Sequence, residues 1–132
     1  MFKFFKEAIE GKGTRPPKTV TDSLTKCFGD VINVDWLAKD GQYEAIFYKN
    51  SVEYIAIFNT TGDLEKYKMY LAIEFLPAAI KTDLELQGEI MNVVLINDGK
   101  SILYEVILRD KQLIRALKLI SQMGDVLEER LL

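Results

Sequence analysis

Twenty acidic and seventeen basic side chains are spread along the chain, together with four serines, one cysteine and no histidine. The missing imidazole removes the commonest general base and the commonest transition-metal ligand from any mechanism. Cys27 is alone, so neither an intramolecular disulfide nor a thiolate metal cluster can form. It precedes Phe28 in an apolar-periodic stretch, which predicts a small buried hydrophobe rather than a reactive thiol. Ser23, Ser51, Ser101 and Ser121 stand in turn-like or helical contexts with no base nearby, and read as capping and turn residues. Gly11-x-Gly13 lacks the third glycine and the preceding strand of a dinucleotide loop, and no GxxxxGKS/T sequence occurs. Asn59 to Glu65 lacks the central glycine and regular acidic spacing of a calcium loop, and reads as a tight turn. The expectation is therefore a chain that is not an enzyme and that uses no cofactor or metal.

At 132 residues, 48% apolar, the chain is long enough for a continuous core. A net charge of −3 offers no footprint for a nucleic-acid backbone, so no nucleic-acid partner is expected. No run approaches the ~18–20 apolar residues of a membrane span. Met1-Phe2-Lys3-Phe4-Phe5-Lys6-Glu7 makes a poor secretory signal because charges interrupt it early. With the single cysteine, that reading points to the cytoplasm. Phe2, Phe5 and Ile9 share one face of a short amphipathic helix, expected to dock on the protein's own body.

These residues need elements to hold them. Gly11 to Pro17 has the composition of a connector, so residues 1–13 read as an N-terminal segment and linker, with the folded body beginning near Pro16. Val20, Leu24, Cys27 and Phe28 form one helical stripe that Pro17 opens and Gly29 ends. Turn signals at Asp40-Gly41, Lys49-Asn50-Ser51 and Asn59–Asp63 divide the following sequence into strands near 31–38, 43–49, 52–58 and 64–72.

The second half returns to this order. Pro17, Val20 and Leu24 correspond to Pro77, Ile80 and Leu84; Tyr43-Glu44-Ala45-Ile46 to Tyr104-Glu105-Val106-Ile107; and Gly62-Asp63-Leu64 to Gly124-Asp125-Val126. The chain thus reads as one domain, 14–132, of two α-β-β-β-(β) repeats, 14–72 and 73–132. The fold class is α+β: an antiparallel sheet with helices on one face and an open opposite face. Tyr43, Ala45 and Phe47, with Tyr104, Val106 and Leu108, are assigned to the helix-covered core. So are Val52, Ala56 and Phe58, aligned with Leu113, Leu117 and Leu119. Tyr54 falls on the core side, which simple alternation does not explain. Glu44 and Glu105 are the most suggestive carboxylate pair, because the repeat places them equivalently, and they read as solubilising positions.

The Pro-x-x-Val helix, Val34-x-Trp36, Tyr43-Glu44-Ala45-Ile46-Phe47, Tyr54-Ile55-Ala56-Ile57-Phe58, Gly62-Asp63, Leu76-Pro77, Tyr104-Glu105-Val106 and Gly124-Asp125 together resemble the PepSY-like, or beta-lactamase-inhibitor-like, proteins over roughly residues 16–130. The resemblance implies tandem repeats with one sheet face left open, often concave. It also implies a small non-enzymatic bacterial module, commonly exported to the periplasm or cell surface. A periplasmic location is thus the alternative to the cytoplasmic one.

The open face is expected to carry Ile46, Tyr48, Ile55 and Ile57 with Arg109 and Lys118, and Trp36 if its strand turns that way. Aromatic and aliphatic surface with a few cationic anchors is the composition of an interface centre. The leading expectation is a non-catalytic binding module for a protein or peptide, regulatory or inhibitory in role. The alternatives are a carrier of a small apolar ligand beside Phe47 and Phe58, and a homodimer formed through the open face or an edge strand near 126–132.

Overall fold

The computed structural model describes residues 12–132. The expected helix at Phe2, Phe5 and Ile9 lies outside them. The chain divides into two compact units, Met1–Met69 and Tyr70–Leu132. In the first, β1 (Lys12–Gly13) precedes α1 (Lys18–Phe28), β2 (Ile32–Lys39), β3 (Gln42–Lys49), β4 (Val52–Asn59) and β5 (Leu64–Tyr70), whose last residue opens the second unit. In the second, a 3-10 turn (Ile73–Phe75) precedes α2 (Ala78–Gln87), β6 (Glu89–Asn97), β7 (Ile102–Arg109), β8 (Arg115–Ser121) and β9 (Val126–Leu131). β2 to β5 form an antiparallel meander, as do β6 to β9, and each helix packs on one face of its own strands. The stretch expected to be a bare connector holds β1, which pairs Lys12 with Ala38 and Gly13 with Leu37.

α1 starts at Pro17, whose fixed φ suits a helix start, and stops at Gly29, whose φ of +76° is open to glycine. The Lys49 ammonium donates to the Phe28 carbonyl at 2.8 Å, placing a cation on the helix's negative end. Val20, Leu24 and Phe28 are buried at i, i+4 and i+8. Cys27 lies on the flank of that stripe and is exposed, against the expectation of a buried thiol. Phe28 meets Phe47 at 5.1 Å and Tyr67 edge-on at 5.6 Å, while Phe47 stacks on Tyr54 at 5.4 Å. Tyr54 therefore belongs to the core as one wall of an aromatic cluster, a contact no alternation rule contains.

The hairpins follow their turn chemistry. Asp40-Gly41 and Asn50-Ser51 both have positive φ at the two central positions, the geometry that matches strand twist in two-residue loops. Asn59 closes the β4–β5 turn by accepting from the Thr61 and Asp63 amides at 3.0 and 2.9 Å. Ser121 performs the same task between β8 and β9, its hydroxyl accepting from Met123 and Asp125 at 3.3 and 3.1 Å. Gly62 and Gly124, with φ of +93° and +96°, occupy matching places in these turns.

One turn differs, and it reverses part of the expected core. Lys49 pairs with Val52 across a two-residue loop, whereas the Asp110 amide reaches the Ile114 carbonyl across three residues, ending on Leu113 at φ +65°. The additional residue moves β8 one place relative to β4, and a slip of one flips every side chain to the other face. Ala116, Lys118 and Ile120 therefore lie opposite Leu108, Val106 and Tyr104 on the α2 face. Leu117 and Leu119, expected inside the core, lie opposite Ile107 and Glu105 on the other face, and Leu113 is exposed.

Candidate functional site

The residues expected to form a binding face are divided by the structure. Trp36 stands opposite Ala45 and packs on the α1-side core, with its ring 6.1 Å from Phe58; it is not on the open face. A bulge between Ile32 and Asp35, with Asn33 at φ +56°, sets this direction. Lys118 is likewise on the helix side. It is 8% exposed, donates to the Gln87 carboxamide on α2 and lies 3.6 Å from Glu129. The one-residue register shift of β8 accounts for both its position and its loss as a surface anchor.

Ile46, Tyr48, Ile55, Ile57 and Arg109 do lie on the face away from their helices. Cross-strand register puts Asp35, Ile46, Ile55 and Lys68 in one row, and Leu37, Glu44, Ile57 and Lys66 in the next. The centre of this face is not the accessible surface that was expected: Ile55 is 3% exposed and Ile57 is 9%, with Ile46 half-buried. Ile55 stands opposite Lys68, and Ile57 between Glu44 and Lys66. Glu44 and Glu105, expected as solubilising positions, are also buried, as is Lys68. A strand that alternates apolar with charged residues reads as half-solvated, so sequence pattern hides this kind of burial. Arg109 donates to Glu89 at 2.7 Å at the end of β7, a partly exposed ion pair.

Among the described residues of the first unit, the exposed large apolar side chains lie at one end of its sheet. Ile32 and Tyr48 face each other across β2 and β3, and they are 66% and 42% exposed. With Asp30, Asn33, Lys49, Asn50 and Ser51 they line a cleft of about 630 Å³. Each wall has a local cause. The positive φ of Asn33 interrupts the β2–β3 register, the Asn50-Ser51 turn closes β3, and Lys49 is pinned to the end of α1. The Tyr48 hydroxyl donates to Glu53 at 2.9 Å. That hydrogen bond, and then the carboxylate's charge, holds the phenol above its usual pKa, so Tyr48 stays neutral and oriented. Chemically the cleft offers two apolar anchors, a carboxylate, an ammonium and side-chain amide and hydroxyl groups. Ile32 is the member sequence reading missed, because the alternation of the β2 run does not report the irregularity beside it.

No protein-family model matches the chain, and no curated protein matches it. Solved structures do. A DUF2874 family protein from Bacteroides ovatus, 20% identical, superposes with a TM-score of 0.76 over 90% of this chain and 89% of that one. A Bacteroides eggerthii protein provisionally assigned to the periplasm, 16% identical, gives 0.78 over 89% and 90%. A BLIP-like protein from Bacteroides fragilis, 19% identical, gives 0.75 over 90% and 88%. At these identities the likeness is one of fold, and fold by itself does not carry function.

Proposed function

We propose that the protein is a non-catalytic binding module that receives a protein or peptide segment in the Ile32–Tyr48 cleft. The observation that carries this reading is the pair of exposed apolar side chains held by a bulge and a tight turn around a preformed space. Tyrosine beside an aliphatic anchor is the composition that concentrates binding energy at interfaces. Among the described residues β1 pairs only with Ala38 and Leu37, so the first half of β2 has an unpaired edge beside the cleft. Asn33 bulges that edge and spoils it for strand addition, which favours side-chain insertion instead. The fold shared with a BLIP-like protein and the resemblance to the PepSY-like family agree with recognition rather than catalysis. The provisional periplasmic assignment of the B. eggerthii protein favours an exported location. The carrier alternative is less well served, since Phe47 and Phe58 are fully buried and Phe47 is in ring contact with its neighbours.

Selection of a displayed random-peptide library on the immobilised chain tests the proposal. Selected peptides are expected to lose at least about tenfold in affinity for an Ile32→Asp, Tyr48→Ala double variant, about 1.4 kcal/mol or more. Unchanged affinity in a folded double variant overturns the assignment of the cleft.

A further inference from the structure

β9 is the last strand of its meander and is exposed at every position. Val126, Leu127 and Leu131, and Leu132 beyond the strand, leave more than half of their surface in water. Most proteins blunt such an edge with a bulge, a proline or a lysine. Here the bulge sits at the start, where Ile120 pairs with Val126 and Leu119 with Glu128, so Glu128 to Leu131 run regularly. The Leu132 amide donates to the Arg115 carbonyl at 3.0 Å. Alternation along the regular run Glu128 to Leu131 then turns the backbone groups of Arg130 and Glu128 toward β8, and those of Leu131 and Glu129 outward.

We infer that β9 is a self-pairing edge, and that two copies of this chain join antiparallel about a two-fold axis at Glu129. The occupant is fixed by complementarity. In that register the outward backbone groups of Glu129 in one copy meet those of Glu129 in the other, so these amides and carbonyls find partners. On the face away from α2, Glu128 of each copy lies opposite Arg130 of the other, and opposite charges across a strand pair stabilise it. The two Glu129 carboxylates are each served by the Lys118 ammonium on the adjoining strand, 3.6 Å away. Sliding the second copy by two residues keeps the backbone match but sets Glu128 against Glu128, or Arg130 against Arg130. Only the register centred on Glu129 satisfies backbone and charge contacts together. A contact of this kind uses the same patch on both copies and closes after two. It is independent of the Ile32–Tyr48 cleft, so either proposal can fail alone.

Sedimentation of the whole chain over roughly 5 µM to 1 mM tests this, a range that covers dissociation constants of weak specific pairs. The expected result is a concentration-dependent monomer–dimer equilibrium in which the amide of Glu129 exchanges more slowly with solvent as dimer accumulates. Arg130→Glu is expected to weaken the dimer at least tenfold, and Glu128→Arg combined with Arg130→Glu to restore it to within about threefold, since the swap recreates both pairs. Circular dichroism of each variant confirms that the fold is kept. A chain that stays monomeric throughout, a dimer whose β9 amides exchange unchanged, or a charge swap that fails to restore association each overturns the proposal.

Discussion

Gly62 and Gly124 occupy corresponding turns with nearly the same φ, +93° and +96°, yet their surroundings differ. A Cβ on Gly62 comes within 2.8 Å of the Thr19 carbonyl oxygen, 3.0 Å of Ser23 Oγ and 3.3 Å of the Thr19 carbonyl carbon. The first and last of these are backbone atoms of α1 and cannot swing aside. On Gly124 the nearest atom is Ile80 Cγ1 at 3.8 Å, an ordinary contact. Gly124→Ala therefore isolates the cost of a side chain at positive φ, about 1–2 kcal/mol. Gly62→Ala adds the cost of pushing the turn off the helix, about 1–3 kcal/mol by analogy with overpacked cores, for a total of about 2–5 kcal/mol. With 132 residues and an unfolding entropy of ~2.1 cal/mol/K per residue, 1 kcal/mol moves the midpoint by about 4 °C. Thermal unfolding followed by far-ultraviolet circular dichroism should show losses of about 4–7 °C for Gly124→Ala and about 7–18 °C for Gly62→Ala. Trp36 fluorescence reports on the first unit in the same melt. A Gly124→Ala variant as damaged as Gly62→Ala, or more so, would refute the claim that the β4–β5 turn is fitted against α1.

Lys118 is buried with its ammonium held by Gln87 and Glu129, so Gln87→Ala should cost about 1–2 kcal/mol in urea unfolding, while Lys118→Met, which removes the charge with its partners' need for it, should stay within about 1 kcal/mol of the parent. Asp98 accepts from the Lys100 and Ser101 amides, which holds its carboxyl below the usual carboxylate value. The unfolded chain binds that proton more readily, so the contribution is complete above the unfolded value and is lost as pH falls through the folded one; Asp98→Asn should flatten the acid limb of the stability curve, and an unchanged limb counts against the turn's hydrogen bonds. Exposed Cys27 should be labelled by a thiol reagent in the native chain without unfolding, and Cys27→Ser should change stability by no more than about 0.5 kcal/mol.

Much of the architecture was legible from local chemistry. Pro17 and Gly29 bracket α1, positive-φ dipeptides set the two-residue hairpins, and the Tyr43, Ala45, Phe47 alternation points to the core in the first unit. The second unit went astray at one place because a three-residue turn replaces a two-residue one, and apolar Leu113, Leu117 and Leu119 fit either face equally well by pattern. Trp36 shows the same weakness: a bulge at Asn33 resets the alternation upstream of it, and nothing in the run Ile32 to Leu37 announces which side the indole takes. The candidate site was partly legible. Tyr48 was singled out by composition, but Ile55 and Ile57 were expected to share its exposure, and a linear pattern of alternating residues does not report their burial. The edge character of residues 126–132 was readable from its charges, whereas the complementarity of β9 with itself needed the direction of its backbone groups.

Amide chemical-shift mapping of the full chain, titrated with a peptide selected on it, tests the binding account most directly. The account predicts the largest perturbations at Asp30, Ile32, Asn33 and Tyr48 to Ser51. Perturbations centred on the outer surfaces of α1 or α2, with those residues unmoved, would contradict it.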